Sequence, residues 1–109
     1  MAFDEALAAR VRQVLGDTEG LSEKRMFGGL AFLVSGNMAC GVHGEDLILR
    51  IDPQEGEAML GEPHVRLFDM TGRPMKGWVL VGPAALATDD DLSSWVAKGV
   101  RFASSLPPK

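Results

Sequence analysis

Hydrophobic positions in the first fifteen residues recur at helical spacing. Phe3, Leu7, Val11 and the pair Val14-Leu15 fall on one face, with Arg10, Arg12 and Gln13 on the other. Asp4 and Glu5 stand where carboxylates meet the open amides of a helix start, and Gly16 stands where a helix stops. The pattern predicts an amphipathic surface helix. From Arg25 to Ile51 the period changes. The short runs LAFLV, MACGV and LILRI are separated by SGN and HGED, both rich in turn formers, which predicts two consecutive hairpins. Leu47, Leu49 and Ile51 share one strand face, with Ile48 and Arg50 on the other. LAFLV is apolar on both faces and predicts a central strand covered on each side.

Beyond Ile51, DPQEGEAMLG predicts a short helix. Asp52 can cap it, Pro53 suits its first position, Glu55 completes a capping box and Gly61 ends it. VRLFDM and MKGWVLV flank TGRP as a further hairpin that Pro83 closes. TDDDLSSWVAKGVRFASSL predicts the last helix, with Thr88 and Asp91 as a capping box. Leu92, Trp95-Val96, Gly99, Phe102-Ala103 and Leu106 form its apolar stripe, and Pro107-Pro108 stops it. The predicted order is α-β-β-β-α-β-β-α. This is a single α+β domain over residues 1–109, with a largely antiparallel five-stranded sheet covered by helices.

Composition narrows the setting. The 109 residues suit one domain, and 46% hydrophobic with 24% charged residues is ordinary globular usage. A net charge of −4 opposes approach to phosphate backbones and counts against direct nucleic-acid binding. Cys40 is the only cysteine, so no intrachain disulfide can form, which fits a reducing compartment. The start MAFDEALAARVRQ lacks the basic and apolar regions of a signal peptide, and no apolar run approaches the roughly 20 residues that span a bilayer. A soluble cytoplasmic protein without membrane contact is expected.

Candidate chemistry is sparse. Cys40 and His43 fall on opposite faces of a strand, and with His64 they are too few for a zinc site. A buried thiol and a turn histidine are the expected reading, with no metal, cofactor or catalytic set. The carboxylates of DPQEGE and TDDD sit at helix starts, where capping accounts for them. Met26, Met38, Met59, Met70 and Met75 are spread over every element and read as core filling. Two pieces remain, EKRMFGG and GRPMKGW. Each sets an arginine beside glycines, so Arg25, Gly28, Gly29 and Arg73 are the candidate anion- or partner-binding residues. The alternative is structural: Met26, Phe27 and Trp78 anchor the core, and the glycines permit a tight turn or a close approach. The sequence favours this alternative.

The pieces KRMFGGLAFLVSGNMACGV, LILRID, GWVLVGP and DLSSWV, in that order, resemble the TfoX/Sxy family, specifically its N-terminal domain. The resemblance covers nearly the whole chain, and RMFGG ahead of a hydrophobic strand is its most specific part. It implies a mixed sheet with helices in the order given above, in a stand-alone form without the second domain of longer members. It also implies a link to the regulation of natural competence alongside transcriptional machinery. It brings no catalytic residues, only Arg25, Met26, Phe27, Gly28 and Gly29 as a signature.

Together these readings predict a non-enzymatic regulatory or adaptor domain acting through protein–protein contact. The sheet edge is the surface for pairing with a partner or with a second copy. Two alternatives stand beside it. One is a sensor of small anionic metabolites built on Arg25 or Arg73 with glycine amides. The other is a weak DNA-binding accessory protein, which requires Lys24, Arg25, Arg50, Arg66, Arg73 and Lys76 to converge on one face.

Overall fold

The computed structural model describes residues 3–26, 28–68 and 77–107. The predicted TGRP turn with Arg73, together with Met70, Met75, Phe27 and the side chain of Met26, lies outside the described residues.

Helix α1 (Glu5–Leu15) opens on Asp4, whose carboxylate accepts from the Ala6 and Leu7 amides, and closes where the Gly16 amide donates to the Arg12 carbonyl. Strands β1 (Leu21–Met26), β2 (Gly29–Val34), β3 (Asn37–His43) and β4 (Asp46–Arg50) follow as a continuous meander. Helix α2 (Pro53–Met59) starts on Asp52, which accepts from the Gln54 amide, with proline in its first turn. Strands β5 (Val65–Leu67) and β6 (Trp78–Val81) pair with each other, and β6 also pairs with β4. A 3-10 turn at Pro83–Leu86 leads into helix α3 (Asp89–Ser105), capped by the Thr88 hydroxyl on the Asp91 amide.

The sheet is antiparallel at every pairing and runs β1-β2-β3-β4-β6-β5. It therefore has six strands rather than five, and four rather than three precede α2. The added strand is β1, LSEKRM. Only its end residues Leu21 and Met26 are apolar, so it carries no hydrophobic alternation. Phe3 also departs from expectation. It lies ahead of the α1 cap and bridges to Gly44, while the Asp4 amide donates to the Gly44 carbonyl at 2.7 Å.

Both faces of the inner strands are buried. Phe32, Cys40, Val42, Leu47, Leu49 and Val79 pack against Leu7, Val11, Leu92 and Val96 of the helices. On the opposite face Ala31, Met38, Ile48 and Leu80 join Phe68 and Trp78, whose rings lie 6.1 Å apart. Ala31 and Phe32 are adjacent and both fully buried, as the doubly apolar LAFLV requires.

One irregularity ties the layers together. Phe32 pairs with Cys40 and Leu33 with Met38, so Ala39 is an extra residue on β3. The bulge lets Ala39 and Cys40 both join the clusters packed with helix residues. Gly99 of α3 sits against it, where any Cβ would overlap the Ala39 carbonyl oxygen. A mid-helix glycine costs about 1 kcal/mol of helix propensity relative to alanine. Here it is the condition for α3 to lie on the bulge.

Candidate functional site

The RMFGG signature forms the turn between β1 and β2. Met26 and Gly29 pair across it, leaving only positions 27 and 28 between the strands. Two-residue hairpin turns demand positive φ, and Gly28 has φ of +73° with open space where a side chain would stand. Gly29 is needed for another reason: a Cβ there would overlap the Val42 carbonyl of β3. The double glycine therefore serves the fold. The turn lies between the first two strands, not at the entrance of the first.

Placing that turn defines β1 as an edge strand, with Ser22, Glu23, Lys24 and Arg25 exposed. Its hydrogen-bonding phase follows from the ladder. The Ser35 amide donates to the Gly20 carbonyl at 2.9 Å, and Gly20 is next in register beyond the Leu21–Val34 pair. Antiparallel pairs alternate, so Ser22, Lys24 and Met26 direct their backbone groups at β2. Glu23 and Arg25 direct theirs outward. The Leu21 amide fits this phase, turning away from β2 to the Thr18 carbonyl at 3.3 Å.

The side chains on β1 differ in how they are held. Glu23 accepts two bonds from the Arg12 guanidinium, at 2.8 and 2.9 Å. That hydrogen bonding holds the Glu23 carboxyl below the ordinary glutamate range and raises Arg12. Arg25 lies over the Phe3 ring, 5.8 Å from its centroid, and has no carboxylate partner among the described residues. Lys24 is likewise unpaired there. Among the described residues the edge thus carries one neutralised charge pair and two cations without a carboxylate partner.

Most other described arginines are occupied. Arg10 pairs with Asp89 at 3.3 Å, Arg66 with Asp46 at 2.6 Å and Arg101 with Glu55 at 3.7 Å. Arg50 is the exception, lying 5.3 Å from the Trp78 centroid and 5.5 Å from that of Phe102. Lys24 and Arg25 lie on one edge strand, Arg66 on the other, and Arg50 on the inner strand β4. The register sets Lys24, Arg50 and Arg66 on one face and Arg25 on the other. They are spread from one edge of the six-stranded sheet to the opposite edge, so these four cations form no single cluster of the kind the DNA-binding alternative requires.

The groups considered for chemistry stay apart. Cys40 is fully buried, and burial pushes its thiol up to about 12. His43 is half-buried at the end of β3, and His64 is exposed with φ of +67° ahead of β5. Among the described residues no group of three or more His, Cys, Asp or Glu side chains is placed to share a metal ion. None of their helices is long and apolar enough to cross a membrane.

Sequence reasoning named Arg25, Gly28 and Gly29 and missed the strand that carries Arg25. The available signal was the two-residue spacing at a glycine between RM and GL, which demands a strand before it as well as after it.

No curated protein and no solved structure matches the chain. The family model of the TfoX N-terminal domain matches residues 13–103, from the second half of α1 through all six strands to nearly the end of α3. With that match spanning the signature turn, the edge strand and the packed sheet, the chain belongs to the TfoX N-terminal domain family.

Proposed function

We propose that this domain is a non-enzymatic regulatory adaptor that acts in the cytoplasm by binding a protein partner, with β1 as the contact strand. The observation that carries the reading is the open edge: outward backbone groups at Glu23 and Arg25 on an exposed strand. Such an edge accepts an added strand through main-chain hydrogen bonds. Family membership supports a regulatory setting, with competence the associated process.

Affinity capture from native lysate tests it, with wild type beside Glu23→Pro. Proline at this position removes an amide that points to solvent, so the fold tolerates it while strand addition loses a donor. A partner retained by wild type and lost in the variant is the expected result. Equal retention by both moves the contact off β1, and a blank in both removes the adaptor reading.

A second reading, a sensor of small anions, has one observation in its favour. The Arg50 guanidinium is half-buried between two rings and has no carboxylate partner among the described residues. A thermal-shift series with carboxylated and phosphorylated metabolites separates it from the first reading, because a ligand of the native state raises Tm by mass action.

A further inference from the structure

We infer that the strand added to β1 is an antiparallel, acidic, extended segment of a different protein, and that the edge is built to refuse a second copy of this chain. The inference rests on the reading of β1 as the contact strand.

The refusal follows from symmetry. Two copies of β1 related by a two-fold axis place some residue opposite itself. Centring on Ser22 needs the Leu21 amide, which is already bonded to the Thr18 carbonyl. The central candidates are therefore Glu23, Lys24 and Arg25, all charged and all exposed. Centring on Glu23 sets two carboxylates face to face, and centring on Arg25 sets two guanidinium groups together. Centring on Lys24 gives two favourable Glu23–Arg25 pairs across the interface, but it opposes two ammonium groups in the closer, non-hydrogen-bonded pair. Those Glu23–Arg25 pairs would also compete with the bidentate bond Glu23 already makes to Arg12. Lysine on an edge strand is a common guard against this kind of self-pairing.

The same charges select a different occupant. Glu23 is neutralised by Arg12, so the unbalanced charge along the edge is that of Lys24 and Arg25. Every pairing in the sheet is antiparallel, and β1 is in phase to continue that pattern. An incoming strand then hydrogen-bonds to Arg25 and Glu23 and sets its intervening residue opposite Lys24. Read from its own N-terminus, the favoured segment meets Arg25 and Lys24 with two successive acidic residues. A neutral polar residue then meets Glu23, a small polar residue meets Ser22, and an apolar residue meets the half-buried Leu21. The two acidic side chains fall on opposite faces, as their two cations do.

The probe is a capped, labelled peptide, Val-Thr-Glu-Glu-Thr-Thr-Val-Thr, beside versions with Lys-Lys or Thr-Thr in place of Glu-Glu. Binding is read by fluorescence anisotropy, with sedimentation of the protein alone in parallel. The expected result is that the acidic peptide binds, and that added salt weakens it. Lys24→Glu, an exposed substitution that leaves the fold intact, should weaken it roughly tenfold. Glu23→Pro, checked to melt like Glu23→Gln so that only the loss of the Arg12 pair is common to both, should abolish it while Glu23→Gln does not. Equal binding of all three peptides, lost in Glu23→Pro, would keep β1 as the contact strand and overturn the acidic partner. No binding of any peptide, or binding indifferent to Glu23→Pro, would overturn both. A wild-type dimer dissolved by Glu23→Pro would assign the edge to a second copy and overturn the inference.

Discussion

Strands β3 and β1 are nearly the same length, seven and six residues, and belong to one sheet, yet they are held by different forces. In β3 every residue from Asn37 to Val42 is buried, and only His43 is half-buried. In β1 the four residues from Ser22 to Arg25 are exposed. The first strand is driven inward by its own side chains, at about 1.5–3 kcal/mol for each large apolar group buried. The second is held by the ladder to β2, a turn that only glycine fits well, and one ion pair to α1. A strand held in that way can expose its polar side chains and its outer backbone. This is why the contact surface we propose lies on β1.

The sharpest test of the comparison is Cys40, at the centre of β3. Burial pushes its thiol up to about 12, which leaves little of the reactive thiolate at neutral pH, and the same burial closes the path to reagent. A thiol-reactive dye should leave the native protein unlabelled and modify the unfolded chain promptly. The protection should exceed about a thousandfold if the sulfur is reached only by global opening. Rapid labelling of the native state would mean that β3 is not the rigid member of the pair.

Gly99→Ala should have the next largest effect, a loss of about 3 kcal/mol or more, because the new methyl meets backbone rather than a movable side chain. A small loss in a chemical denaturation curve would show that α3 can slide off the Ala39 bulge. At the hinge between the two regimes, Gly29→Ala should cost about 2–3 kcal/mol through its clash with the Val42 carbonyl. Gly28→Ala should cost about 1–2 kcal/mol, through positive φ alone, since nothing occupies the space. If the order of these neighbours were reversed in melting experiments, the division of labour within the double glycine would be wrong.

The same contrast sets what the sequence could disclose. LAFLV, MACGV and LILRI were legible because burial writes itself into apolar residues, and both helix caps with Asp52 and Thr88 were legible from their side-chain chemistry. LSEKRM was not legible from its own periodicity, because an exposed edge needs no hydrophobic period; only the two-residue glycine spacing that follows it marks it as a strand paired to β2. The site suffered the same loss. Arg25 could be singled out for standing beside glycines, but its outward backbone depends on a register fixed by Gly20 and Ser35. Pairing of β6 with β4 was also beyond a local reading, since α2 and β5 intervene.

The smallest expected effect concerns the ion pair that ties β1 to α1. Arg12 holds the Glu23 carboxyl below its value in the unfolded chain, so the pair contributes stability in full above the unfolded value, about 4.3. That contribution is lost as pH falls through the lower, folded value. Both side chains are substantially exposed, 49% for Arg12 and 34% for Glu23, which keeps the contribution under about 1 kcal/mol and sensitive to salt. Glu23→Gln should therefore lower Tm slightly at neutral pH, and the gap to wild type should close in acid or in high salt. A gap that persisted at low pH would mean that Glu23 supports β1 through hydrogen bonding that the amide fails to replace, rather than through charge. The edge strand would then depend on α1 more than its exposure suggests, and its separation from the buried strands would narrow.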